Sequence, residues 1–112
     1  PSIPKSAETI FVDKFRQIIQ TNLSDPELNV DRISNEMALS KAQLYRKIKA
    51  LTGTSPADIL REARLKRADR YLQTTDKNIA EIAYEVGFSS PSYFTKCYRE
   101  YFGYTPNKRQ SI

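Results

Sequence analysis

The chain has 112 residues, a formal net charge of +5 and a pI near 9.4, which suits one small domain or a tight pair of subdomains facing a polyanion. With no histidine and a single cysteine, Cys97, the composition excludes intrachain disulfides, Cys/His zinc sites and histidine-based acid–base chemistry. No apolar run approaches the roughly 18–20 residues that a membrane span requires, and no signal-peptide pattern is visible.

Residues 1–6, opening Pro1-Ser2-Ile3-Pro4, read as a linker remnant of a longer protein. From about Ser6 to Leu23, Ile10, Phe11, Phe15, Ile18, Ile19 and Leu23 recur at spacings of one, three and four, which predicts an amphipathic helix closed by Ser24-Asp25-Pro26. Val30–Met37 reads as a short helix with Val30, Ile33 and Met37 inward. Ser40 with Gln43 three residues on makes a capping-box pattern for a helix that runs to Gly53. Ser55-Pro56-Ala57-Asp58 combines a cap, a proline at the first position and an early acid, starting a long helix to about Gln73. After Thr74-Thr75-Asp76-Lys77 follow a short helix over Ile79–Val86, a turn at Gly87, a helix from Ser90 to Phe102 and a last weak turn at Thr105-Pro106. The expectation is an all-α chain of about seven helices.

The sequence repeats itself. Asn29, Ile33, Glu36 and Ser40 return as Asn78, Ile82, Glu85 and Ser89; after a one-residue insertion, Leu44, Ile48, Leu51, Gly53 and Pro56 return as Phe94, Tyr98, Tyr101, Gly103 and Pro106. Such a period marks two copies of one supersecondary unit: a short helix, a tight turn, then a longer helix. Ala38-Leu39-Ser40 and Gly87-Phe88-Ser89 fill the turn, where a small residue lets the two helices approach and Gly87 suits a left-handed conformation better than Ala38. Charge follows the repeat. Residues 1–28 set Lys5, Lys14 and Arg16 against Glu8, Asp13, Asp25 and Glu27, so the remainder carries a net +6.

At about 100° per residue, Leu44, Ile48 and Leu51 form an inward arc in the first copy, as do Phe94, Tyr98 and Tyr101 in the second. Opposite lie Ala42, Tyr45, Arg46 and Lys49, and in register Ser92, Thr95, Lys96 and Arg99. Small or polar residues near the helix start permit close approach to base edges, and cations further along meet phosphates, as a helix in the major groove requires. Neither stripe contains an acid.

The segment EIAYEVGFSSPSYFTKCYREYFGYTP (Glu81–Pro106), with REARLKRADRYL (Arg61–Leu72) before it, resembles the signature of the AraC/XylS family of bacterial transcription regulators. The resemblance covers roughly Leu28 to Pro106 and departs after Pro106, where Asn107-Lys108-Arg109 replace the aromatic-Arg pair usual in the family. It implies two helix-turn-helix subdomains (7–53 and 75–112) joined by a long linker helix (54–74), with recognition helices over about 41–52 and 90–102 in successive major grooves of double-stranded DNA. Carried over residue by residue, the base-reading candidates are Ala42, Tyr45, Arg46, Pro91, Ser92, Tyr93 and Lys96. The phosphate candidates are Lys41, Lys47, Lys49, Ser90, Thr95 and Arg99, with the core edge as the alternative place for Lys47. Arg61, Arg64, Lys66, Arg67 and Arg70 on the linker helix read mainly as a solvated basic face.

The resemblance further implies contact with RNA polymerase, a covalently attached upstream sensor or receiver domain such as a hybrid two-component regulator carries, and a cytoplasmic location, membrane anchoring of the parent being left open. The isolated domain is expected to be a monomer, to need no cofactor or metal, and not to be an enzyme.

Overall fold

A computed structural model describes residues 4–107. The described residues form six helices: α1 (Ala7–Thr21), α2 (Val30–Glu36), α3 (Lys41–Thr52), α4 (Pro56–Thr74), α5 (Ile79–Glu85) and α6 (Pro91–Phe102). Pro106 and Asn107 are helical at the end of this span; the expected weak seventh helix and the family departure at Lys108 and Arg109 otherwise fall outside the described residues.

The chain divides into two compact units, one comprising Leu28–Leu60 with the preceding chain through Asn22, the other Leu23–Glu27 with the chain from Arg61 onward. The boundary falls within α4.

In the first unit α1, α2 and α3 pack pairwise around Phe15, Ile19, Ile33, Leu44 and Ile48, all buried. Each helix start is satisfied locally, because the first amides of a helix have no partner within it. Ser6 accepts from the Thr9 amide at 3.2 Å, Asn29 accepts from that of Arg32 at 2.9 Å, and Ser40 and Gln43 close a reciprocal capping box. The inward arc is shorter than the periodicity implies. Leu51, expected in the core, is 42% exposed, and Ile10 of α1 is 56% exposed. Leu51 instead lines a groove of about 280 Å3 that α1 and the last turns of α3 leave open, together with Ala7, Glu8, Phe11, Lys47 and Ala50.

The second unit has its own core: Leu65, Ala68 and Leu72 of α4, Ile82 and Ala83 of α5, then Val86, Phe88, Phe94, Cys97 and Tyr98. It is rich in edge-to-face and tilted ring contacts, with Phe88 and Phe94 5.2 Å apart and Tyr98 and Phe102 4.4 Å apart. Tyr101, the counterpart of Leu51, is likewise 41% exposed, its ring resting only against Phe102 within this aromatic row.

The two turns are the same device. In the first, the Ala38 amide donates to Asn35 O at 3.1 Å and the Leu39 amide to Ser34 O at 2.9 Å; in the second, Gly87 donates to Tyr84 O at 3.1 Å and Phe88 to Ala83 O at 2.9 Å. This nested pair is the Schellman closure, which places the first residue past the helix cap in the left-handed region. Ala38 has φ +58° and Gly87 φ +93°, so the alanine adopts the conformation that its side chain disfavours. Ala38 is exposed. Ala38→Gly should therefore stabilise the chain by about 0.5–1 kcal/mol, the left-handed strain outweighing the extra unfolded-state freedom of glycine. Urea unfolding measures it, and a destabilised variant would show that the strain is negligible.

Candidate nucleic-acid interface

On α3 the capping box orients the first turn and spends Gln43, whose side chain accepts from the Ser40 amide at 2.9 Å. Lys41, Ala42, Tyr45, Arg46 and Lys49 then stand exposed while Leu44 and Ile48 are fully buried. Ala42, Tyr45, Arg46 and Lys49 share one outward arc, and Tyr45 is half exposed. Lys41 lies at the edge of that arc and pairs with Asp31 of α2 at 3.3 Å, both side chains solvated, an interaction worth little that a phosphate could replace. Lys47 points elsewhere. Its Nζ lies 4.9 Å over the Phe11 ring, a cation–π contact on the groove side at the core edge.

On α6, Ser90 caps the helix by accepting from the Tyr93 amide at 3.2 Å, and Pro91 occupies the first position with no N–H to offer a ligand. Ser92, Lys96 and Arg99 are exposed, Thr95 and Pro91 partly so. Arg99 and its counterpart Lys49 sit in the last turns of their helices, where a cation also favours the negative end of the helix dipole. Tyr93 lies to the side of the stripe. Its phenol is turned toward Cys97, and that hydrogen bond, then burial, raises its pKa against the lowering pull of the Arg61 guanidinium.

The roll of α6 is set from within. Tyr98, fully buried, donates its hydroxyl to Asp69 Oδ1 of α4 at 2.9 Å. Burial, then this hydrogen bond to the carboxylate, pushes the Tyr98 phenol well above its ordinary range. The other Asp69 oxygen accepts from Gln73 at 2.8 Å. With Phe94 and Tyr98 locked inward, Ser92, Lys96 and Arg99 must face out.

Two residues with a part in this geometry were not singled out by periodicity. Asp69 is the acceptor that fixes Tyr98. Arg64 is no solvated cation: it donates to the Leu23 and Asp25 carbonyls at 3.4 and 2.9 Å, and burial lowers its pKa while Asp25 raises it. A signal existed, since Arg64 shares the spacing of Ala68 and Leu72 on the buried face of α4. Among the described residues there is no cluster of three or more metal-ligating side chains, and no helix is long and apolar enough to cross a membrane.

The pattern of residues 33–111 matches the family model described as "Helix-turn-helix domain". A transcriptional regulator from Chromobacterium violaceum, of the AraC-type DNA-binding class, has a solved structure that superposes with a TM-score of 0.85 at 32% identity, covering 96% of this chain and 95% of that one. The C-terminal domain of AraT, a response regulator from Geobacillus stearothermophilus, superposes with a TM-score of 0.88 at 29% identity, covering 95% and 88%. Histidine kinase P4 of Formosa agariphila is 38% identical over 106 residues, 95% of this chain and 8% of that protein. The chain belongs to the helix-turn-helix domain family, of the AraC/XylS type. It spans 8% of the length of that kinase and 37% of the HTH-type transcriptional activator RhaS of Mannheimia succiniciproducens, to which it is 34% identical over 98 residues.

Proposed function

We propose that the chain is the sequence-specific, double-stranded DNA-binding domain of a transcription regulator, inserting α3 and α6 into successive major grooves. The observation that carries this is the pair of in-register outward stripes, 42–45–46–49 and 92–95–96–99, each on a helix delivered by the same Schellman turn and a serine cap. Arg46 presents a planar fork suited to guanine, and Lys96 a single cation at the matching place. Ala42 offers a methyl, Ser92 a hydroxyl, Tyr45 an exposed phenol; Pro91 and Tyr93 act by packing beside the bases. Lys41, Lys49, Thr95, Arg99 and the Ser90 cap face phosphates, and Lys47 joins them only by leaving Phe11. Residues 7–53 and 75–112 act as the two reading subdomains, with 54–74 as their linker.

The likeness to the C-terminal domain of a response regulator and to a region of a histidine kinase supports an upstream receiver or sensor in the parent chain. RNA polymerase is the further partner in this reading, the location is cytoplasmic, the isolated chain is a monomer, and its role is binding rather than catalysis. Selection of duplexes from a random pool at two salt concentrations tests it. Two short motifs about one helical turn apart support the twin-groove reading. A single motif limits base reading to one unit, and binding without enrichment that disappears at moderate salt overturns sequence recognition.

Lys49→Ala should weaken specific and random duplexes alike and reduce the slope of log K against log salt by about one. Titrations at several salt concentrations measure this; a loss confined to the selected duplex would make Lys49 a base reader.

A further inference from the structure

We infer that Arg64 is a positioning residue for DNA reading by α6, holding the turn that aims this helix by bridging segment 23–25 and Gly87. The inference rests on the reading of α6 as a recognition helix and names a residue that governs it without touching DNA. Three stretches distant in sequence converge within the second unit. The Arg64 side chain leaves the buried face of α4, and its Nε and Nη2 donate to the carbonyls of Leu23 and Asp25 at 3.4 and 2.9 Å. Gly87 sits against the same group, so close that a Cβ on it would meet Arg64 Nε at 2.7 Å and Leu23 O at 2.5 Å.

Gly87 is the left-handed residue of the turn, and Phe88 after it packs on Phe94 and Tyr93, 5.2 and 5.8 Å between ring centres. The placement of Ser92 and Lys96 therefore depends on where Gly87 rests, and Gly87 rests on the guanidinium. Two carbonyls are served from one planar group, a task for which the guanidinium fork is shaped and a lysine ammonium is not.

Arg64→Lys keeps the charge and removes the fork. With both motifs selected by the wild type, and Arg46→Ala used to assign which belongs to α3, the variant should lose about tenfold in preference at the α6 motif, the scale of one mismatched base pair. Preference at the α3 motif and the salt slope should be retained. Unchanged preference at the α6 motif overturns the inference alone. A shallower salt slope in Arg64→Ala that Arg64→Lys restores also overturns it, since that pattern belongs to a phosphate contact. Failure of the wild type to select any motif overturns the underlying reading of α6, and the inference with it. If the lysine variant loses both motifs through unfolding, the wild-type Arg64 Nε–H resonance decides. It should keep its position on addition of either selected or random duplex, and a shift with both places the guanidinium on DNA and ends the proposal.

Discussion

Gly87→Ala should destabilise the chain by roughly 2–5 kcal/mol, against about 1 kcal/mol for Gly53→Ala or Gly103→Ala. All three glycines have positive φ, +93°, +80° and +84°, so each substitution incurs the left-handed strain of an L residue. What separates them is space. Nothing lies within 4 Å of a Cβ built on Gly53 or Gly103, whereas one on Gly87 would sit 2.5 Å from the backbone oxygen of Leu23 and 2.7 Å from Arg64 Nε. The side chain could swing away; the carbonyl cannot do so without moving the segment that Arg64 holds. Ala38, at the equivalent turn in the first unit, is the internal control: an alanine is tolerated there because its methyl points to solvent. Thermal and urea unfolding of the three variants decides the matter. Equal losses for Gly87→Ala and Gly53→Ala would mean that the close approach to Leu23 carries no energy and only the dihedral strain counts.

Arg46→Ala should cost about 1–3 kcal/mol on the selected duplex and relax discrimination at one base position, with a far smaller loss on random DNA. Arg46 is exposed at the centre of the α3 stripe, flanked by Tyr45 and one turn before Lys49. An arginine there can present two parallel donors to a guanine edge, which an ammonium cannot match. Arg46→Lys should accordingly keep the salt slope while losing the base preference. Competition of each variant between selected and random duplexes is the measurement. Equal losses on both would reduce Arg46 to a phosphate contact and leave base reading by α3 to Ala42 and Tyr45.

Much of this molecule is local and hence legible from its residues in order. The starts of α3 and α4 are signalled by Ser40 with Gln43 and by Ser55, each serine accepting the amide three residues on, and a cap needs only its own turn to form. The repeat announces two copies of one unit, and the observed α2–turn–α3 and α5–turn–α6 share helix lengths and turn hydrogen bonds. The in-register stripes follow from the same period, because a helix fixes the azimuth of every side chain once its inward arc is known.

Azimuth alone does not say how far a neighbouring helix extends. Leu51 and Tyr101 lie on the inward arcs, yet they sit in last turns where little covers them, and Ile10 is likewise left open. Long-range contacts leave far less trace in local pattern. Lys47 finds the Phe11 ring of α1, and Asp69 fixes Tyr98 from 29 positions away. Arg64 reads as one more cation on a basic helix until the fold brings Leu23 and Asp25, 41 and 39 positions distant, to its guanidinium. The sequence by itself thus determined the helices, their caps, the duplicated unit and the outward faces, all set by interactions within a few residues. The tertiary structure decided which side chains on those faces stay free, which are tied back, and why the second turn must be glycine, since those outcomes depend on atoms that only folding brings together.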